Sequence, residues 1–559
     1  MEFKRLISFA IVAMAILMGW NYFFPAPEPV AVTQQATTDA AGQTTTTANG
    51  TVAQDSKLSK GERIQVTTDM FNATIDTNGG DLRRLELLQH NATADEKQQM
   101  VLLDDAANYT YVAQSDLLGP DGQYLLKDVA FTAPQNNYTL TGDTLEVTLS
   151  APETNGVVIK KIYTFTKGSY KIGVRFDVLN NGTAPVKLDA VFRLLRDGST
   201  PEGESRLAHV YTGPALYTPT GGFQKISFGD LDTDYSKGRD AADYERRAPS
   251  GWVSMIQHYF VSAWILEPKD QASACAQGGG ECQFDIRKRS DGLYSAGVRV
   301  PMTAVAPGQS AALSMTLYSG PEEYSIMKGV ADNLHLSKDY GKVHIFASPL
   351  FWLLNKIHEF VGNWGWSIVL LTVVVKLVLY PLTSASYRSM AKMRAVAPKM
   401  TAMREQYGED KVKLQQEMMS LYKKEKINPL GGCLPMLVQI PVFIGLYWAL
   451  FASVELRQAP WMGWITDLAR PDPYYVLPAL MAITMFMQTF LNPPPADPMQ
   501  AKMMKIMPIA FSVMFFFFPA GLVLYWLVNN ILSIAQQWMV NRKIAKQTDL
   551  ARVEAKRPQ

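Results

Sequence analysis

The stretch Trp366–Leu382, WSIVLLTVVVKLVLYPL, decides how the rest of this chain is read. At about 1.5 Å of rise per residue it makes a helix of about 25 Å, close to the hydrocarbon thickness of a bilayer. One residue breaks its apolar pattern. Lys376 lies two-thirds of the way along, where a charge costs about 2.5–3.5 kcal/mol to insert. Two explanations stand open. The lysine snorkels to water past nearby Pro381, or its charge serves a water-filled cavity.

Downstream of this segment the chain turns polar and keeps a helical period. Thr383–Asn428 holds Arg388, Lys392, Arg394, Lys399, Arg404, Lys411, Lys413, Lys423, Lys424 and Lys426 against five acidic residues. The positive-inside rule makes this loop cytoplasmic, so Trp366–Leu382 runs from outside to inside. Tyr407-Gly408-Glu409 breaks it, which predicts a hairpin of two antiparallel helices over 384–427. Further spans are expected at 434–451, 474–491, 503–518 and 522–540. An external loop carrying Trp461 and Trp464 separates the first two of these, and Pro519-Ala520-Gly521 is a tight external turn. The tail 542–559 is basic and cytoplasmic.

Upstream the composition changes twice. Gly341–Val361 places Phe346, Leu350, Leu353, Leu354, Ile357 and Val361 on one helical face, the pattern of an amphipathic helix at the outer interface or of a soluble core helix. Residues 61–335 read as β. Tyr170, Ile172, Val174, Phe176 and Val178 alternate with polar residues, and Lys167-Gly168-Ser169 joins them to Val157–Thr166 as a hairpin. Asn78-Gly79-Gly80, Pro120-Asp121-Gly122 and Asp291-Gly292 add turns, so a large antiparallel β-sandwich on the outer side is expected. Residues 25–60, rich in Thr, Ala, Gln and Pro, are expected to form a disordered linker. Residues 1–24, with Lys4 and Arg5 ahead of an uncharged run, read as a signal peptide or an uncleaved anchor; the aromatic cluster Tyr22-Phe23-Phe24 and the lack of a small-x-small cleavage site favour the anchor. The sum is a six-span helical membrane protein with both termini cytoplasmic.

Composition excludes several functions. The formal net charge is +2, which argues neither for nor against a charged partner. There is no phosphate-binding glycine loop, no H-E-x-x-H and no G-x-S-x-G, so neither an enzyme nor a cofactor is expected. The histidines lie outside the spans, and His258 reads as a packed strand residue. Of three cysteines, Cys275 and Cys282 flank Ala-Gln-Gly-Gly-Gly-Glu, a loop able to close a disulfide outside the cytoplasm or to carry two free thiols. No C-x-x-C pair supports a metal.

Polar residues within the spans are ordered. Thr372, Lys376, Tyr380 and Ser384 follow one another at i+4, and Tyr525, Asn529, Ser533 and Gln537 repeat the spacing in the last span. Gln439, Thr484, Gln488 and Ser512 supply polar groups to the others. Singly such residues glue helices together; two stripes and a lysine point to a hydrophilic, positively charged groove. In the hairpin, Met390, Met393, Met400, Met403 and Met418 either offer an adaptable apolar surface to substrates or form the hairpin's own seam.

MAKMRAVAPKMTAMREQYGEDKVKLQQEMMSLYKKEKINPLGGCLPMLVQIPVFIGLYWAL (Met390–Leu450), VELRQAP (Val454–Pro460), DPYYVLP (Asp472–Pro478) and FPAGLVLYW (Phe518–Trp526) resemble the YidC family of bacterial membrane protein insertases. The resemblance covers about 362–542 closely, and the six-span layout is similar to the Gram-negative form. It implies a five-helix insertase core with a groove open to cytoplasm and lipid, and a periplasmic β-supersandwich similar to sugar mutarotases. It also implies an inner-membrane location and as partners the bilayer, nascent inner-membrane proteins and the Sec translocon. The basic charge of hairpin and tail reads either as a surface for the ribosome or as only the positive-inside flank. The family's groove charge falls on Lys376, with polar neighbours at Thr372 and near Trp526. This chain departs from the commonest pattern, which has arginine at the charged position and often tyrosine at Trp526. Lysine keeps the point charge but not the fork of donors. The competing class is a secondary transporter binding a small solute or ion at Lys376. It would need inverted repeats and broken helices, for which Pro441 and Pro508 are the candidates. A membrane-anchored carbohydrate-binding protein would leave five spans idle.

Overall fold

The computed structural model describes residues 58–555 except 93–96, 107, 202–210, 239–242, 270–272, 278–279, 339, 341–342, 408–409, 426–433, 492–505 and 507–511. The expected anchor 1–24, nearly all of the linker 25–60, Cys433 and half of the expected span 503–518 therefore lie outside the described residues. The chain forms two compact units, Met1–Asp339 and Tyr340–Gln559.

In the first unit the period-two patterns become two sheets, of ten and eight strands among the described residues. The smaller runs Gly222–Lys225, Thr212–Thr218, Trp252–Gln257, Phe260–Ile265, Ser310–Pro321, Lys171–Asn180, Val157–Thr166, Thr144–Ser150. The larger has Asp189–Arg196 beside Tyr109–Leu118 near its centre and ends on a short parallel pairing of Arg63–Thr67 with Asn137–Thr139. In Lys171–Asn180 the residues Ile172, Val174, Phe176 and Val178 are buried and Lys171, Gly173, Arg175 and Asp177 are half-exposed, so the alternation selects one inward face. That face meets the other sheet through aromatic rings. Phe192 lies 5.9 Å from Phe176 and 5.1 Å from Trp264, centroid to centroid.

A buried lysine also ties the two layers together. Lys161 Nζ donates to the carbonyls of Gly79 (3.0 Å) and Ser115 (2.8 Å) and lies 3.6 Å from Asp81 Oδ1. Beside it Tyr163 donates to the Gly80 carbonyl at 2.7 Å. Gly79 and Gly80 have φ of 74° and 63°, a left-handed turn that aims both carbonyls inward. Burial pulls the Lys161 ammonium down to about 8, against the opposing pull of Asp81 and Asp116. Burial likewise pushes Asp116 up to about 6, although amides of Leu126 and Leu117 donate to it. Cys275 and Cys282 are joined by a disulfide and fully buried.

The second unit is helical: His344–Val361 (α1), Trp364–Val378 (α2), Tyr380–Tyr407 (α3), Lys411–Lys424 (α4), Leu434–Phe451 (α5), Val476–Leu491 (α6) and Ala520–Ala555 (α7). Helix α1 packs on α5 and α2, and α7 packs on α6, α2 and α3. Two glycines permit the closest approaches. A Cβ on Gly445 of α5 would meet Phe346 at 2.8 Å, and one on Gly365 of α2 would meet Trp461 at 2.2 Å. Asn363 caps α2 by accepting from the Trp366 amide, while its Nδ2 donates to the Pro460 carbonyl at 3.1 Å. The buried Asp472 accepts from Trp464 Nε1 and from the Leu477 amide in the first turn of α6.

Here the structure corrects the expectation of one straight helix over 366–382. Helix α2 stops at Val378 and α3 leaves it at 67°. The cause is Pro381, which has no N–H to give and whose ring excludes the carbonyl four residues back. Among the described residues no single helix is long and apolar enough to cross a membrane; only when Trp364–Val378 and Tyr380–Met393 are taken together, as a broken span or a re-entrant loop, do length and composition reach those of a span. Pro441, by contrast, lies inside a continuous α5.

Candidate functional site

The site is built where α2, α5 and α7 meet. Lys376, in the last turn of α2, is buried, 9% exposed, and its Nζ donates to Ser533 Oγ of α7 at 2.7 Å. The side chain thus crosses to a neighbouring helix and does not run along its own helix to water. Ser533 in turn donates to the Asn529 carbonyl at 2.6 Å, which fixes its lone pairs toward the ammonium. One turn back, Asn529 Oδ1 accepts from Gln439 Nε2 of α5 at 2.7 Å. Lys376, Gln439, Asn529 and Thr383, with Val375, Leu379 and Leu382, line one concavity. An ammonium has three protons, and among the described residues no carboxylate pairs with this one. The arrangement is a fixed cation beside two side-chain amides with apolar walls. It can attract an anionic group, and it holds no nucleophile–base pair or metal cluster among the described residues.

The remaining expected groove residues divide. Thr372 is buried on α2 and donates to the Ile368 carbonyl of its own helix at 2.7 Å. Tyr380 leaves the stripe: it follows the break, its side chain is 40% exposed, and only its carbonyl takes part in the helix junction. Thr484 donates to Met481 in its own helix and Gln488 is half-buried on the same helix, α6. Ser512 is buried just ahead of the α7 entry. Tyr525 is buried one turn before Asn529. Trp526 is an aromatic wall, with its ring 4.1 Å from Phe443 and 4.9 Å from Phe515.

Gln536 and Thr383 enter, which the stripes did not identify, and the stripe residue Gln537 leaves. Gln536 Nε2 donates to Thr383 Oγ1 at 2.7 Å and Ser384 Oγ at 3.1 Å, while Gln537 turns the other way, to the Leu491 carbonyl at the end of α6. The signal was present in the helical angle. Steps of four residues advance about 40° each, so a stripe centred on Asn529 passes closer to 536 than to 537.

In the hairpin, Val396 of α3 and Leu421 of α4 form the buried seam, with Met393, Met400, Met403 and Tyr422 packed against it. Lys399 pairs with Glu425 at 2.7 Å across the two arms. For these three methionines the seam is what the packing uses; Met390 and Met418 are half-buried, and the neighbouring Met419 is exposed.

Two family profiles match this chain: one described as "60Kd inner membrane protein" over residues 356–547, and one as "YidC periplasmic domain" over 63–353. A membrane protein insertase YidC of Neisseria meningitidis serogroup C is 59% identical over 547 residues, 98% of each chain. The insertase of the same name from Laribacter hongkongensis is 56% identical over 549 residues, again 98% of each. A solved structure described as an active YidC insertase with its first transmembrane domain resolved aligns over 87% of this chain and 94% of its own, at 17% identity and a TM-score of 0.38.

Proposed function

The chain belongs to the YidC family of bacterial membrane protein insertases, and on that premise we propose that its insertase activity runs through the Lys376 site. It is a non-enzymatic insertase of the Gram-negative inner membrane with a periplasmic β-domain. The mechanism proposed for it is electrostatic and hydrophobic. A polar groove on the cytoplasmic side shortens the hydrocarbon path that a hydrophilic substrate tail must cross. Lys376 draws an acidic tail into that groove. The substrate's apolar segment then partitions into lipid beside the helices, releasing about 25 cal/mol per Å² of apolar surface. Partition and the membrane potential stand in for nucleotide hydrolysis.

The observation that carries this reading is the buried ammonium held on Ser533 beside Gln439 and Asn529. A structural lysine in a helix bundle would be expected to face a carboxylate; here its described partner is a hydroxyl. The membrane layout proposed with it has six spans, a five-helix core and both termini cytoplasmic. In that layout the α2–α3 bend lies at the inner face, with the hairpin α3–α4 beyond it. Nascent inner-membrane proteins are the substrates, the Sec translocon a working partner, and the basic hairpin and tail the surface for a ribosome. The bend is also the broken helix that a secondary transporter would use. Reconstituting the purified chain in liposomes separates the two. A single-span test protein should become protease-protected, whereas a transporter would move solute and leave the test protein exposed.

A further inference from the structure

Helix α7 grips the chain on both sides of the α2–α3 bend. Before it, Ser533 accepts from Lys376; after it, Gln536 Nε2 lies 2.7 Å from Thr383 Oγ1, 3.1 Å from Ser384 Oγ and 3.3 Å from the Tyr380 carbonyl. All three acceptors belong to the first five residues of α3. Thr383 passes its own proton back to the Leu379 carbonyl at 3.0 Å or the Tyr380 carbonyl at 3.1 Å, so its lone pairs are left to Gln536. Pro381 has removed the helix hydrogen bond that would set the angle here. With one helix hydrogen bond missing, α7 braces the joint from outside, through Ser533 on the α2 side and the buried Gln536 amide on the α3 side.

We infer that Gln536 is a positioning residue for insertion: it holds the start of α3 on the same helix whose Ser533 holds Lys376 of α2, and so fixes the direction of the hairpin arm α3 relative to the Lys376 site. The inference rests on the Lys376 reading. Gln536 contacts no substrate in this account. It acts by holding Thr383, which lines the same concavity as Lys376, and by keeping the arm from swinging across that concavity.

The test uses the full chain carrying C433S, with spin labels at the exposed positions K392C on α3 and K543C on α7, reconstituted in liposomes. Q536L keeps the volume and removes the donors; T383V removes the acceptor from the other side. The expected result is one narrow distance distribution in the parent and a broadened one in Q536L and in T383V. Insertion of an acidic-tailed single-span substrate should fall about fivefold in each, the size of one lost hydrogen bond, and that of a neutral-tailed one less than twofold. The double variant should be no worse than either single variant, because both break the same bridge. An unchanged distribution, additive losses, or equal losses for both substrates would overturn the inference. Should Q536L fail to fold, T383V alone decides. K376E in the same assay separates the two levels of the argument. If it inserts the acidic-tailed substrate at the parental rate, the Lys376 reading has failed; if it is impaired while Q536L is not, the positioning role of Gln536 alone has failed.

Discussion

Lys376 and Ser533, 157 residues apart in the chain, share a 2.7 Å hydrogen bond that turns a membrane-helix lysine sideways into the bundle. The bond anchors the ammonium at one of its three protons, in a residue that lines one concavity with Gln439, Asn529 and Thr383.

Removing the anchor while keeping the charge separates placement from presence. S533A should lower the insertion of acidic-tailed substrates about three- to tenfold, the range of one ordinary intramolecular hydrogen bond. It should add little to a K376A variant, because both changes delete the same contact. Insertion kinetics in proteoliposomes give both numbers; a silent S533A means that the hydroxyl does not position the lysine.

The glycines at the helix contacts make a stability prediction. G365A drives a methyl into the Trp461 ring and G445A drives one into Phe346, each an overpacking change of about 1–3 kcal/mol. Both should lower the melting temperature of the detergent-solubilised protein. G329A, where nothing lies within 4 Å of the added Cβ, should be neutral or slightly stabilising and serves as the control.

The buried pair in the β-domain makes a pH prediction whose signs differ. Asp116 is pushed up to about 6 from 3.8, so the folded state binds more protons than the unfolded state between those values. Stability therefore falls as pH rises from about 4 to 6. Lys161 is pulled down to about 8 from 10.5, so the unfolded state binds more protons there and stability rises from about pH 8 to 10. Urea unfolding of the full-length protein, followed on the β signal, should show both slopes. D116N should lose the acid slope and K161M the alkaline one; slopes that persist in the variants would assign them to other groups.

How much of this was legible depends on how local the cause is. The alternation of Tyr170–Val178 fixes a face because a strand's side chains repeat every two residues, and Lys171–Asn180 follows it residue by residue. Lys376 stands out because its cost is a property of one residue in an apolar run. The i+4 stripes were legible for only part of their length. Pro381 breaks the first between Lys376 and Tyr380, a local signal present in the sequence that the straight-helix expectation passed over. Angular drift carries the second away from Gln537 and onto Gln536. The hairpin methionines illustrate a different limit. A methionine stripe has one pattern whether it meets a substrate or its own partner helix, and only the contact with Val396 and Leu421 separates the two. The Lys161 link between the sheets is likewise tertiary, since nothing in Val157–Thr166 announces the carbonyls of Gly79 and Ser115.

The central claim is that a positive charge at 376 selects acidic tails, and charge reversal tests it most directly. Purified wild type, K376R and K376E are reconstituted in liposomes, and the initial rate of protease protection is measured for one single-span substrate with an acidic or a basic outer tail. The account predicts that K376R stays within about twofold of wild type and that K376E loses about tenfold or more on the acidic tail, with partial recovery on the basic one. Raising salt should shrink the difference, to the extent that the groove is open to water. Acidic-tailed substrate inserted by K376E at the wild-type rate would contradict it.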